Sequence, residues 1–230
     1  MNADSNTSLA ASPVVLVMAK APVAGLVKTR LGQVIGMEEA AELAAAALLD
    51  TFAACIEAYG VPRCHLALDG ELAVAHRAEE LLAATRGWIV HPQRGDSFAE
   101  RLVNAHHDTA AAALAPIVQI GMDTPQLTAA ALEEAAALLV GPDDAVLGPA
   151  EDGGWWLLGV GGPHLLAHLT EVPMSTEETC QHTRDALIRA GARVREIGVL
   201  RDVDEHEDAR LVADAAKGSH FAKALELMSS

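Results

Sequence analysis

The chain has 230 residues, 51% of them hydrophobic and 21% charged, a balance that fits one globular domain and excludes a disordered chain. It carries 16 Lys and Arg against 32 Asp and Glu, a formal net charge of −16, which repels nucleic-acid backbones and anionic membrane surfaces. Neither is expected as a partner, so any phosphate ligand must be held locally, by a few placed cations or a metal.

Cys55, Cys64 and Cys180 are odd in number and form no CxxC pair, so reduced cytoplasmic thiols are expected rather than a disulfide framework or a zinc site. The polar start, residues 1–12, reads as a floppy tail and not as a secretory signal. Residues 13–230 are expected to form a single domain. No window approaches the ~20 apolar residues that span a bilayer. Aromatics are only 3%, so the core must come from Leu, Val, Ile and Ala.

In chain order, Val14–Ala19 (VVLVMA) is a short apolar run, the mark of a strand buried on both faces. A Gly- and Pro-bearing loop follows, Lys20–Leu31. Glu38–Tyr59 is a helix of good formers closed by Gly60. His65–Leu68 reads as a second strand, Glu71–Ala84 as a helix, Trp88–His91 as a third strand and Ser97–Leu114 as a helix. Ile117–Ile120 is a fourth strand running into GMDTP, and Thr128 caps a helix to Val140. Ala145–Leu147 begins a fifth strand and Trp155–Val160 is a sixth. The pattern Ser175-Thr-Glu-Glu178 predicts a capping box opening a helix to Arg189. Val194–Leu200 is a last strand, and Glu207–Ala216 and Phe221–Met228 are terminal helices. Alternating strands and helices predict a three-layer α/β/α fold with a mixed, mostly parallel central sheet. In such folds ligands sit beyond the carboxyl ends of the strands.

Three familiar signatures fail. Leu26 and Val27 separate Gly25 from Lys28, which breaks GxxxxGK[ST]; no GxGxxG follows the first strand; and no GxSxG elbow exists. Four loops at strand ends remain. The first, after the first strand, holds Lys20, Lys28 and Arg30, with Gly25 to let a backbone approach, and suits a pyrophosphate or triphosphate. The plainer alternative is a solvated basic loop. The second, Gly121–Pro125, holds Asp123; such a residue is often a helix cap, but Thr128 can take that role and leave Asp123 free for a metal. The third, Gly148–Trp156, holds Asp152, Gly153 and Gly154, a low-bulk surface for a ligand or simply a hairpin turn. The fourth holds Asp202 and Asp204, two apart and on one face of extended backbone, which repel unless a cation lies between them. An acidic strand end is the ordinary alternative. The ten histidines form no HExxH, so surface or capping roles are expected for His106, His107 and His206.

Taken together, KAPVAGLVKTRL, GMDTP, GPAEDGGWWLLG, VPMST and DVDEHED resemble a glycosyltransferase-like family similar to the guanylyltransferase of deazaflavin-cofactor biosynthesis. That family lies within the nucleotide-diphospho-sugar transferase superfamily, of GT-A fold. The resemblance runs from Val14 to Asp208. It implies that Lys20, Ala21, Pro22, Gly25, Lys28 and Arg30 bind the nucleotide, and that Asp123, Asp202 and Asp204 hold Mg²⁺ or Mn²⁺. It further implies that Asp152, Gly153, Gly154, Ser175 and Thr176 face the acceptor, and that Lys28, Arg30 and Asp123 are the candidates for catalysis. The sequence departs from the family at Met122, at Glu205-His206 and at Gly95-Asp-Ser-Phe98.

Two chemistries fit these residues: nucleotidyl transfer from an NTP to a small phosphorylated or carboxylated acceptor, or glycosyl transfer from a nucleotide-sugar. An inactive nucleotide-binding subunit is a third reading. Three loop cations favour the triphosphate. A homodimer is compatible with the sequence.

Overall fold

The apolar run at the start becomes β1 (Val14–Lys20), buried over its first six residues and flanked by parallel strands on both sides. The computed structural model describes residues 12–228. All but the last residue of the expected tail lies outside them. The other strands are β2 (Cys64–Asp69), β3 (Ile89–Pro92), β4 (Ile117–Ile120), β5 (Asp144–Pro149), β6 (Trp155–Val160) and β7 (Arg193–Glu196). They form one 7-stranded sheet in the order β3-β2-β1-β4-β6-β5-β7. Only β6 runs against its neighbours, pairing antiparallel with β4 and β5. The Asp-Gly signal at residues 152–153 is therefore a hairpin turn between β5 and β6.

Alternate residues of β1 feed two cores. Val15 and Val17 face α2 (Met37–Tyr59) and α5 (Ala129–Leu138), with Leu48, Phe52 and Leu132. Leu16 and Met18 face α4 (Phe98–Ala113) and α6 (Thr179–Arg189), with Leu102 and Leu187. This period of two across a twice-covered strand is what the unbroken apolar run encodes. A third cluster packs α1 (Thr29–Ile35), α7 (His206–Ala215) and α8 (His220–Met228) on the outer side of α2 through Leu31, Leu43, Val212 and Phe221. The described residues thus form the three-layer, mixed and mostly parallel arrangement expected.

Local expectations fared unevenly. Thr128 caps α5 through its side chain, which accepts from the Ala131 amide at 3.3 Å. The helix expected over Glu71–Ala84 starts late: a 3₁₀ turn at Leu72–Val74 precedes α3 (Ala78–Ala84), and Arg77 takes φ +52° between them. The break is tertiary, since Arg77 pairs with Glu42 at 2.6 Å and His76 with Glu38 at 2.8 Å, both on α2. The capping box at Ser175–Glu178 does not form. Instead the Thr179 hydroxyl accepts from the Thr176 amide at 2.9 Å and donates to the Pro173 carbonyl at 3.0 Å, and Ser175 takes φ +61°. Capping boxes close α4 at Ser97 and α7 at Glu205. The last strand stops at Glu196, although Leu200 still touches the β5 end through an isolated bridge to Ala150. All three cysteines are free, and among the described residues no helix is long and apolar enough to cross a membrane.

His106 is not a surface residue. It faces the sheet from α4, wholly buried; burial first, and then His107, push it down to about 3, with Gln119 pulling the other way. Burial, then His91, pushes His65 down to about 4. Both lie below the value of about 6.5 that a histidine has in an unfolded chain. Through that window the unfolded chain binds protons that the folded chain refuses, so stability is complete above about pH 6.5 and falls as pH drops. Two such groups contribute a slope of roughly 2–2.5 kcal/mol per pH unit between pH 4.5 and 6. Carboxylates titrate in the same window, so the test is a difference: in urea denaturation across this range His106→Gln should lower the slope relative to the parent by about 1.4 kcal/mol per pH unit, the share of one such histidine. An unaltered slope in the variant would contradict the assignment.

Candidate active site

The C-terminal ends of β1 and β4 set the floor of the site, and three further segments are tied onto it by backbone hydrogen bonds. The Val203 amide donates to the Asp123 carbonyl at 3.0 Å, which lays residues 202–204 beside the β4 loop. The Glu151 amide donates to the Leu200 carbonyl at 3.1 Å, and the Cys180 amide to the Gly153 carbonyl at 2.9 Å. These bonds bring the β5–β6 hairpin, the loop before α6 and the chain after β7 to one rim. Gly153 is the fulcrum: it takes φ +86°, and a Cβ there would lie 2.0 Å from the Glu177 carbonyl oxygen. Gly153→Ala should therefore destabilise the fold by roughly 2–4 kcal/mol through strain and overpacking. A urea midpoint equal to the parent's would show that the hairpin is not seated against Glu177.

The first loop leaves β1 with the Ala21 amide bonded to the Asp69 carbonyl at 2.8 Å, and the Pro22 carbonyl accepts from the His76 amide at 2.8 Å. Ala21 and Pro22 thus anchor the loop and do not line a cavity. Gly25 takes φ +76° and a Cβ there would meet nothing, so the backbone turn, not a close approach within the protein, accounts for the glycine. Lys28 also takes a left-handed conformation, φ +46°, immediately before α1. Its Nζ lies 2.8 Å from Asp123 Oδ1 and 3.0 Å from Asp204 Oδ1. Burial alone would lower its pKa; the two carboxylates outweigh burial and hold it raised and charged. Arg30 projects into solvent, 3.9 Å from Asp204 Oδ2. Lys20 and Arg101 flank Asp69 at 3.9 and 3.6 Å.

Two cavities adjoin here. An outer one of about 720 Å³ is lined by Leu26, Val27, Lys28, Thr29, Arg30 and Asp208 among others. An inner one of about 410 Å³ is lined by Asp69, Gln93, Phe98, Arg101, Gln119 and Trp155 among others. Lys20, Met122, Asp123, Asp152, Ser175, Thr176 and Asp204 border both. Two reactants placed in the two cavities would meet at those carboxylates.

Asp202 reaches into the inner cavity with its Oδ1 buried and unpartnered. Burial first, then Asp123 and Asp152, push this carboxyl up to about 7, with Lys28 opposing. Repulsion among carboxylates marks a place short of positive charge. Among the described residues no group of three His, Cys, Asp or Glu side chains converges closely enough to hold a metal alone. Mg²⁺ commonly takes one or two carboxylates and completes its shell with water and substrate phosphates. An all-oxygen pair beside a buried, unpartnered carboxylate oxygen fits that requirement.

Of the residues singled out from sequence, Lys20, Lys28, Arg30, Asp123, Asp152, Gly154, Ser175, Thr176, Asp202 and Asp204 line one or both cavities. Ala21, Pro22, Gly25 and Gly153 shape the backbone around them. Asp69, Gln93, Phe98 and Arg101 went unread. Gln93 donates to the Ala19 and Ala67 carbonyls at 2.9 and 3.0 Å, locking the ends of β1 and β2 together. Arg101 keeps a buried Nε without a partner beside the inner cavity. The departure at Gly95–Phe98 was the available signal for this segment.

Comparison with known proteins agrees with the architecture. The family described as "Uncharacterized protein conserved in bacteria (DUF2064)" matches residues 51–176. No curated protein matches the chain. A protein from Desulfovibrio desulfuricans G20, assigned by name to the nucleotide-diphospho-sugar transferases, is 24% identical, with a TM-score of 0.78 and 94% of each chain covered. A cytidylyltransferase from Leptospira borgpetersenii serovar Hardjo-bovis is 14% identical, with a TM-score of 0.57 over 95% of this chain and 94% of that one. A CMP:2-keto-3-deoxy-manno-octonic acid synthetase complexed with CTP is 14% identical, with a TM-score of 0.54 over 94% of this chain and all of that one (100%). At these identities the likeness is one of fold.

Proposed function

We propose a function for this chain, which belongs to the DUF2064 family of proteins conserved in bacteria: a metal-dependent transferase that moves a nucleotidyl group from an NTP to a small phosphorylated or carboxylated acceptor. One observation carries this reading. Lys28, Asp123 and Asp204 meet where two cavities join, with Lys20 on the shared border and Arg30 in the outer cavity.

Lys20, Lys28 and Arg30 would hold the phosphates through charge-assisted hydrogen bonds. Asp152, Gly154, Ser175 and Thr176 would face the acceptor at the border of the inner cavity. An acceptor oxygen attacks the α-phosphorus, the bond from that phosphorus to the bridging oxygen breaks, and pyrophosphate leaves with the bonding pair. An acceptor that is already a phosphate or carboxylate brings its own ionised oxygen, so no general base is needed. Mg²⁺ or Mn²⁺, held by Asp123 with Asp202 or Asp204, would offset charge on the phosphates. In phosphoryl chemistry, preorganised charge and positioning supply nearly all of the rate enhancement that a protein can give.

Charge matching separates this reading from glycosyl transfer. A triphosphate carries about four negative charges near neutral pH and a nucleotide-sugar about two; a metal offsets the carboxylates of the junction and leaves the three loop cations for the phosphates, which suits the former better. The solved structures of the same fold include a cytidylyltransferase and a synthetase holding CTP, in keeping with an NTP donor. The relative named as a nucleotide-diphospho-sugar transferase supports the glycosyl alternative.

A thermal-shift screen of NTPs and nucleotide-sugars, with and without Mg²⁺, tests the binding half. Ligand at 100 times its Kd adds about 2.7 kcal/mol to stability. An NTP with Mg²⁺ should raise the midpoint clearly, and GTP is the first to try on the sequence resemblance. No shift with any nucleotide would remove the reading.

A further inference from the structure

Lys28 differs from the other cations of the first loop. Its side chain is 10% exposed, against 45% for Lys20 and 79% for Arg30. Both of its carboxylate partners are at hydrogen-bonding distance, 2.8 and 3.0 Å, whereas the ion pairs of Lys20 and Arg30 are both 3.9 Å long. A left-handed backbone, φ +46°, aims it there, a conformation that a lysine adopts uncommonly. The position between Asp123 and Asp204 is therefore a cation site that the chain fills by itself.

A divalent ion between the two carboxylates would lie within a few ångströms of the ammonium that bridges their Oδ1 atoms, and the two cations repel. We infer that Lys28 is the resident cation of the Asp123–Asp204 pair, and that this site takes a metal–nucleotide chelate as one unit rather than a free divalent ion. The inference rests on the proposed metal-dependent function. A free ion entering first would strand the Lys28 ammonium, whose side chain is only 10% exposed, without partners, and an uncompensated charge of that kind is strongly unfavourable. A chelate brings its own phosphates, and Lys28 turns from carboxylate oxygens to phosphate oxygens. The ammonium keeps its partners and the carboxylates keep a cation. Metal and nucleotide then favour each other's binding, a reciprocal coupling between adjacent sites.

The same lysine thus acts with opposite signs: it opposes free metal and supports phosphate. Mn²⁺ binding to the full chain without nucleotide, followed by the electron paramagnetic resonance signal of unbound Mn²⁺, tests this. Lys28→Met should bind Mn²⁺ at least tenfold more tightly than the parent, and Asp123→Asn added to it should erase the gain. Lys28→Gln gives the same reading should the methionine variant fold poorly. Equal or weaker Mn²⁺ affinity in folded Lys28 variants would overturn the inference and leave the proposed function standing. Absence of Mn²⁺ binding to every variant at millimolar metal would also overturn the inference, and the proposed function falls only if Mn²⁺ together with an NTP fails to bind as well.

Discussion

Asp123→Asn is expected to lower metal-dependent turnover by about a hundredfold or more while leaving the fold in place. The substitution keeps shape and removes one charge from the junction of the two cavities. Lewis-acid stabilisation of phosphoryl charge is worth several kcal/mol, and each 1.36 kcal/mol is a factor of about ten in rate. The backbone bond from Val203 to the Asp123 carbonyl does not depend on the side chain, so residues 202–204 stay in place. Lys28 retains Asp204 as a partner. Full metal-dependent activity in this variant, measured with thermal unfolding as a check on folding, would show that Asp123 holds no metal.

Lys28→Ala should weaken binding of the Mg²⁺-nucleotide complex by about 1.5–3 kcal/mol, the range for a hydrogen bond to a charged group, or about 10- to 150-fold in Kd. Arg30→Ala should do less, because its guanidinium is mostly in solvent and pairs only loosely with Asp204, at 3.9 Å. Titration calorimetry with the nucleotide that shifts the melting midpoint most would read both. An unchanged affinity in Lys28→Ala would remove the first loop from the phosphate site.

The strands and the loops that follow them were readable because burial on both faces writes an unbroken apolar run, as in Val14–Ala19, and because cations and carboxylates gathered just past such runs. What the chain order hides is which loops share a rim. Asp69, Gln93 and Arg101 belong to β2 and the segments around β3 and α4, and they reach the inner cavity only because β2 lies beside β1 in the sheet. No local pattern carries strand order. The missed helix α1 has seven residues, with β-branched Thr29 and Val34 and a glycine at 32. That glycine packs closely on the start of α2, where a Cβ would lie 2.5 Å from the Met37 sulfur and 3.3 Å from the Met37 Cα. Its propensity is poor and tertiary contact forms it. At Ser175–Glu178 the local signal was present but lost to the Thr179 hydroxyl, which ties the loop to Pro173 and shapes the rim. His106 and His107 show the same limit: adjacent residues of one type, one wholly buried and one exposed, because a helix turns about 100° between them.

Which transfer occurs is decided by what leaves. Incubation of the protein with NTPs, Mg²⁺ and a panel of small phosphorylated and carboxylated acids, with pyrophosphate and nucleoside diphosphate both quantified, separates the two chemistries directly. Nucleotidyl transfer predicts pyrophosphate released in proportion to acceptor consumed, lost on removal of Mg²⁺ and in Asp123→Asn. Release of nucleoside diphosphate from a nucleotide-sugar, with no pyrophosphate from any NTP, would contradict it and assign the site to glycosyl transfer.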